Sequence, residues 1–263
     1  MRLLYSRYKL RAILLFLASF QEKYSALMNL VKRNITLVLF RIKFWIGRYD
    51  VLFFKIYSTI SPELRCHFAA PHKAIVIEGY PRSANTFSSL AFKHSNPGKI
   101  IASHLHSQAQ IIRGVKLNIP VLMLIREPEQ AIRSVLVRRP ELSARAAIFA
   151  YIRFYEDTVP YIPFIVVATM QEATTDFGEI IRRINAKYGT TFCEPIDDMK
   201  FRDRIFSEIS FRNKSQLLTH SQSPNAEREE LKRDIKLKEI EGELVRARKL
   251  YGTILAISTS RDC

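Results

Sequence analysis

A chain of 263 residues, 48% of them hydrophobic, is long enough for one large domain or two small ones and too apolar to be a disordered polymer. Its three cysteines, Cys66, Cys193 and Cys263, are far apart and form no C-x-x-C pair. This argues against a disulfide framework or a structural zinc site, and it fits a reducing, cytoplasmic compartment. The net charge of +16 is uneven: residues 1–73 hold 13 Lys/Arg against 3 Asp/Glu, and a basic balance points to an anionic partner, whether nucleic acid, an anionic lipid surface or a phosphate-bearing ligand.

At the N-terminus, Arg2, Arg7, Lys9 and Arg11 precede the apolar run 12-AILLFLASF-20. No A-x-A pattern follows, and the run is about half of the ~20 residues a spanning helix needs. A second apolar run, 35-ITLVLF-40, is broken by Arg41 and Lys43. Residues 1–70 therefore read as a basic, apolar helical extension, resting either on a membrane surface or on the main domain. The two prolines of 61-SPELRCHFAAPHK-73 mark a linker into a domain over 71–263.

From there, short apolar runs alternate with helical patterns. Strands are expected at 74–79, 99–103, 120–125 and 163–169, and helices at 86–95, 107–113, 128–138, 141–157 and 176–188. Strands that are apolar without alternation, separated by helices, predict an α/β fold with a parallel sheet flanked by helices. Leu231, Ile235, Leu237, Ile240 and Leu244 are spaced as in one long amphipathic helix over 225–252.

Two constellations carry chemistry. The turn 80-YPRSANT-86 follows the first strand and opens a helix, so its backbone N–H groups and the helix dipole suit an anion. Arg82 adds charge, and Ser83, Asn85 and Thr86 add side-chain hydrogen bonds. The G-x-x-x-x-G-K-[ST] loop of nucleotide hydrolases is absent. The third strand ends in 126-REPEQAIRSVLVRR-139, which places Arg126 at the same sheet edge, Pro128 in the first turn of a helix and Ser134 two turns along. Arg126 and Ser134 together suit a further phosphate.

These residues resemble the sulfotransferases that use 3′-phosphoadenosine-5′-phosphosulfate (PAPS). That family's Tyr-Pro-Lys-Ser-Gly-Thr-Thr-Trp turn is matched by 80-YPRSANTF-87, and its Arg-Asp-Pro strand end with a following Ser is matched by Arg126, Glu127, Pro128 and Ser134. Its Thr-His-Leu is matched by Ser103, His104 and Leu105. The resemblance covers about residues 72–190. It implies a P-loop-type sheet, PAPS as co-substrate without a metal, and no nucleic-acid partner. The acceptor would be a carbohydrate, a lipid or a small molecule. Arg82, Ser83, Ala84, Asn85, Thr86 and Phe87 would hold the phosphosulfate and adenine. Arg126 and Ser134 would hold the 3′-phosphate, and His104 with Arg82 would carry catalysis.

Departures from the pattern are Arg82 for Lys, Ala84 for Gly, Phe87 for Trp, Ala102 where a Lys often precedes the His, and His106 for Pro. The family's C-terminal Arg-Lys-Gly loop has its nearest counterpart in 211-FRNKS-215. Ala84 requires a backbone that tolerates a Cβ, or strain. On an extended chain His104 and His106 would face the same side, with Ser107 as a helix N-cap. The alternatives are a small-molecule P-loop kinase and a non-catalytic basic module for membranes or polyanions.

Overall fold

The computed structural model describes Met28 and residues 30–195, 199–215 and 226–259. The run 12–20 lies outside these residues. Four strands, β1 (Ile75–Gly79), β2 (Ile101–Ser103), β3 (Val121–Ile125) and β4 (Val166–Thr169), form a wholly parallel sheet in the order β2-β1-β3-β4. The expected α/β architecture is thus present, with each strand inside its predicted run.

Strand alternation divides the core into two. Val76, Val121, Met123, Ile125 and Val167 face one layer, and Ile75, Ile77, Leu122, Leu124, Val166 and Ala168 face the other. Both β1 and β3 are buried at every position, which explains why their sequences do not alternate. The second layer contains α3 (Asn85–Ser95), α8 (Phe177–Tyr188) and α9 (Met199–Ser215). The first contains α4 (Gln108–Lys116), α5 (Pro128–Arg138), α6 (Ala144–Thr158) and α11 (Glu241–Thr259). A short α7 (Met170–Thr175) follows β4.

The chain moves from β1 outward to β2, then crosses back over β1 to β3. The loops after β1 and β3 therefore leave in opposite directions, and the crevice between them is where ligands of open α/β sheets bind.

Residues 30–60 are not a separate unit. Helix α1 (30–46) buries Phe40 and Phe44 in the same core as the sheet, and α2 (Asp50–Ile60) packs Phe53 and Phe54 beside Phe68 and Leu105. Phe40, Phe44 and Gly47 lie on one face, and a Cβ at Gly47 would meet Gln108 Oε1 at 2.6 Å. A side chain there would have to displace the Gln108 amide and the Ser107 hydroxyl.

The single helix expected over 225–252 is broken. The structure has α10 (Ala226–Asp234), a 3₁₀ turn (Lys238–Ile240) and then α11. At the break Arg133 of α5 donates to the carbonyl oxygens of Lys232 (2.8 Å) and Ile235, and Leu237 and Ile240 turn into the core. A guanidinium from a distant helix replaces the next helical donors, a tertiary effect that apolar spacing cannot report.

Candidate active site

Strand β1 ends at Gly79, where a Cβ would meet the Leu124 carbonyl oxygen at 2.4 Å, so glycine lets β1 and β3 approach at the crevice. Tyr80 is buried and donates to Ala147 O (3.0 Å) on α6. The chain then turns tightly through two left-handed residues, Arg82 (φ 75°) and Ala84 (φ 70°, ψ 17°). Each costs of order 1–2 kcal/mol in a residue that bears a Cβ. Asn85 pins the turn by donating to Gly79 O (3.3 Å) and Tyr80 O (3.1 Å).

Ala84 is the N-cap of α3 and has no side-chain acceptor, so no side chain of that residue closes the helix end. The helices that follow the other three strands are closed: Ser107 Oγ accepts from Ala109 N at α4, Glu127 accepts from Glu129 N and Gln130 N at α5, and Thr169 with Glu172 forms a capping box at α7.

Arg126 leaves β3 toward this turn. Its Nη1 donates to Arg82 O (3.1 Å) and its Nη2 to Gln130 Oε1 (3.4 Å), while its Nε is buried without a hydrogen-bond partner. Arg82 Nε donates to Ser134 Oγ (3.0 Å). The two sequence motifs therefore meet as one cluster. Two tyrosines of α6 hold its backbone: Tyr151 donates to Arg126 O (2.7 Å) and Tyr155 to Leu124 O (2.8 Å).

A cleft of about 380 Å³ opens over this cluster. Its walls include Arg82, Ala84, Asn85, Thr86, Phe87, Arg126 and Ser134, all expected from sequence, with Ser83 buried beneath. They also include residues that sequence reasoning missed: Lys43, Arg138, Arg139, Phe206, Glu229 and Lys232. Six cations thus face one carboxylate. Phe206 of α9 packs on Phe87, with ring centroids 5.1 Å apart, giving an apolar wall beside the cationic floor. A wider surface depression over α9 is lined, among the described residues, by Asp203, Phe206, Ser207, Ser210 and Phe211 and by no cation, so the candidate site is the cleft.

Some of the missed residues carried a signal. Lys43 sits three residues after Phe40 on the helix face that packs inward, and Arg138 and Arg139 end the motif that supplied Arg126. Phe206 carried none, because α9 shows no strong periodicity. The stretch 211–215 lies in α9 as helix rather than loop, and among the described residues of the C-terminal part Lys232 on α10 is the cation that lines the cleft.

The histidines are placed differently than an extended chain would place them. His104 (φ 68°) and His106 (φ 47°) are both left-handed, so the shared side expected from their spacing does not apply. His106 lines the cleft, and its Nδ1 lies 3.1 Å from Gly79 O and 3.6 Å from Glu78 Oε1. A carbonyl only accepts, so Nδ1 carries the proton. Burial, then Lys43 and His104, lower the His106 pKa to about 3. His104 is exposed and touches the cleft through Thr86, with Nε2 3.4 Å from Thr86 Oγ1 and Nδ1 2.7 Å from Ser103 Oγ. The protein around it, followed by His67 and Arg212, disfavours its charged form. Both shifts favour the neutral ring.

Beneath them, Glu78 is fully buried and accepts from Gly79 N (3.3 Å) and Leu105 N (3.0 Å). Burial pushes its carboxyl up to about 8, against the pull of those N–H groups and Lys43. Enclosure likewise lowers Lys43 to about 8, offset in part by Glu78.

No family model and no curated protein matches the chain. Among solved structures, it is similar to mouse sulfotransferase SULT7A1 complexed with PAP. The likeness has a TM-score of 0.44 and 13% identity, and covers 75% of this chain and 95% of that one. Among the described residues, no group of His, Cys, Asp and Glu could hold a metal ion, and no helix is long and apolar enough to cross a membrane.

Proposed function

We propose that the chain transfers a sulfuryl group from PAPS to an acceptor hydroxyl or amine. The observation that carries this is the one strand-following helix, α3, whose N-cap residue offers no capping side chain, opening between Arg82 and Arg126. A helix N-terminus with two guanidinium groups suits a phosphate or sulfate. The cleft fits a nucleotide with two separated phosphate groups. The α3 end and Thr86 suit the phosphosulfate, and Arg126 with its unpartnered Nε, together with Ser134, suits the 3′-phosphate. The apolar wall of Phe87 and Phe206 suits the adenine.

When bound, PAPS supplies an activated sulfur. The chain's residues position it and neutralise the leaving oxygen. The acceptor oxygen or nitrogen forms the new bond to sulfur, the bond from sulfur to the 5′-phosphate oxygen breaks, and the electron pair stays on the phosphate facing Arg82 and the α3 N–H groups. The acceptor's proton passes to His104 Nε2, which is neutral, accessible from outside and beside Thr86. His106 is tied to Gly79 O and serves packing. The acceptor is a carbohydrate, a lipid or a small molecule entering from the side of His104.

Incubation of the protein with sulfur-labelled PAPS and an extract of its source cells tests the proposal. Label should pass to an extract component and adenosine-3′,5′-bisphosphate should accumulate. A lack of both, with labelled ATP giving phosphorylated product in magnesium, would show a kinase instead.

A further inference from the structure

We infer that the outer face of α1, continuing into the start of α2, is a docking surface for an anionic lipid membrane. Helix α1 is apolar on two sides. Its inner side buries Phe40 and Phe44, while Val31, Ile35, Val38, Ile42 and Trp45, spaced by four, three, four and three residues, stand between 42 and 56% exposed. Helices apolar all round are normally covered on every side, so this stripe calls for a partner. Tyr49, 47% exposed, extends it, with its ring 6.1 Å from that of Trp45.

Charge identifies the partner. Along this stretch Lys32, Arg33, Arg41, Arg48 and Lys55 are exposed, and the one acid, Asp50, is buried and paired with Lys116 (2.6 Å). A second copy of the chain would bring the same cations against Lys32, Arg41 and Arg48, which flank the stripe. Residues 1–27 contain the apolar run 12–20, but with five Lys/Arg and one Glu they too would set cations against the flanking Lys32, Arg41 and Arg48. An apolar stripe edged by cations, with Trp and Tyr at one end, matches a helix lying in a membrane interface. None of this depends on the reaction proposed above.

Flotation of the full chain with vesicles tests it. The protein should float with phosphatidylcholine vesicles containing phosphatidylserine, stay behind with phosphatidylcholine alone, and be released by high salt. The double substitution Ile42→Glu/Trp45→Glu should abolish flotation while the chain still melts cooperatively within a few degrees of the wild type, since both side chains are about half exposed. Replacing Lys32, Arg41 and Arg48 with Gln should weaken partitioning by about fivefold each, about 100-fold together. Failure of the wild-type chain to float, or undiminished flotation of both variants, would overturn the inference; the second result would place binding in residues 1–27. So would a wild-type dimer, seen by sedimentation, that Ile42→Glu dissociates while vesicles are ignored.

Discussion

The junctions after β1 and β3 start from the same sheet edge, and each leads into an 11-residue helix. They solve the helix start in opposite ways. After β3, Pro128 takes the first position and the Glu127 carboxylate accepts two first-turn N–H groups, at 3.1 and 2.8 Å, so the helix closes itself with a negative charge. After β1 the chain accepts two left-handed residues, and the residue at the cap, Ala84, has no acceptor. One helix end is neutralised from within. The other is kept strained and positive, with Arg82 and Arg126 around it. Local stability and ligand capture are thus separated onto neighbouring turns.

The largest expected effect lies in turnover. His104→Ala should lower the rate by 10²–10⁴-fold while leaving nucleotide affinity intact, and His106→Ala should act mainly on stability. Reversed effects in steady-state assays would move the base to His106. Because His104 is held below its ordinary pKa, the wild-type rate should persist as pH falls below 6.5, where an unperturbed His is already protonated.

Arg126→Ala should come next, weakening adenosine-3′,5′-bisphosphate by roughly 10- to 100-fold in titration calorimetry, the range of one or two charged hydrogen bonds. Glu127→Ala, one residue away, should leave that affinity nearly unchanged but cost about 1 kcal/mol of stability in urea. If both substitutions acted alike on nucleotide, the contrast between the two junctions would be lost.

Glu78 gives a pH signature. Its folded pKa, about 8, lies above the ordinary 4.5, so the folded state holds a proton that the unfolded state releases. Its contribution is full below about 4.5 and is lost as pH rises toward 8. Glu78→Gln should flatten that slope in thermal melts between these limits. The smallest effect is Ala84→Gly, which relieves a left-handed Cβ at the cost of a more flexible unfolded chain. A gain of up to about 1 kcal/mol is expected with nucleotide affinity unchanged.

The strands and the helices after β1, β2 and β3 were legible because apolar runs in a doubly covered sheet stand out, and because Pro128 and Ser107 mark helix starts; the short α7 after β4 was not. The turn and Arg126 were legible because anion chemistry at a strand end is local in sequence. Lys43, Phe206 and Lys232 were not, since they reach the cleft from elements packed there by tertiary contacts. The break before α11 and the loop of His104 and His106 were hidden for the same reason: their partners, the Arg133 guanidinium and the buried Glu78 carboxyl that accepts from Leu105 N, are distant in sequence.

The most direct measurement is calorimetric titration of the full chain with adenosine-3′,5′-bisphosphate and, separately, with ATP, both without magnesium. Two separated phosphate sites, one at the α3 end and one at Arg126 and Ser134, predict clearly tighter binding of the bisphosphate. Equal or tighter binding of ATP would contradict the assignment.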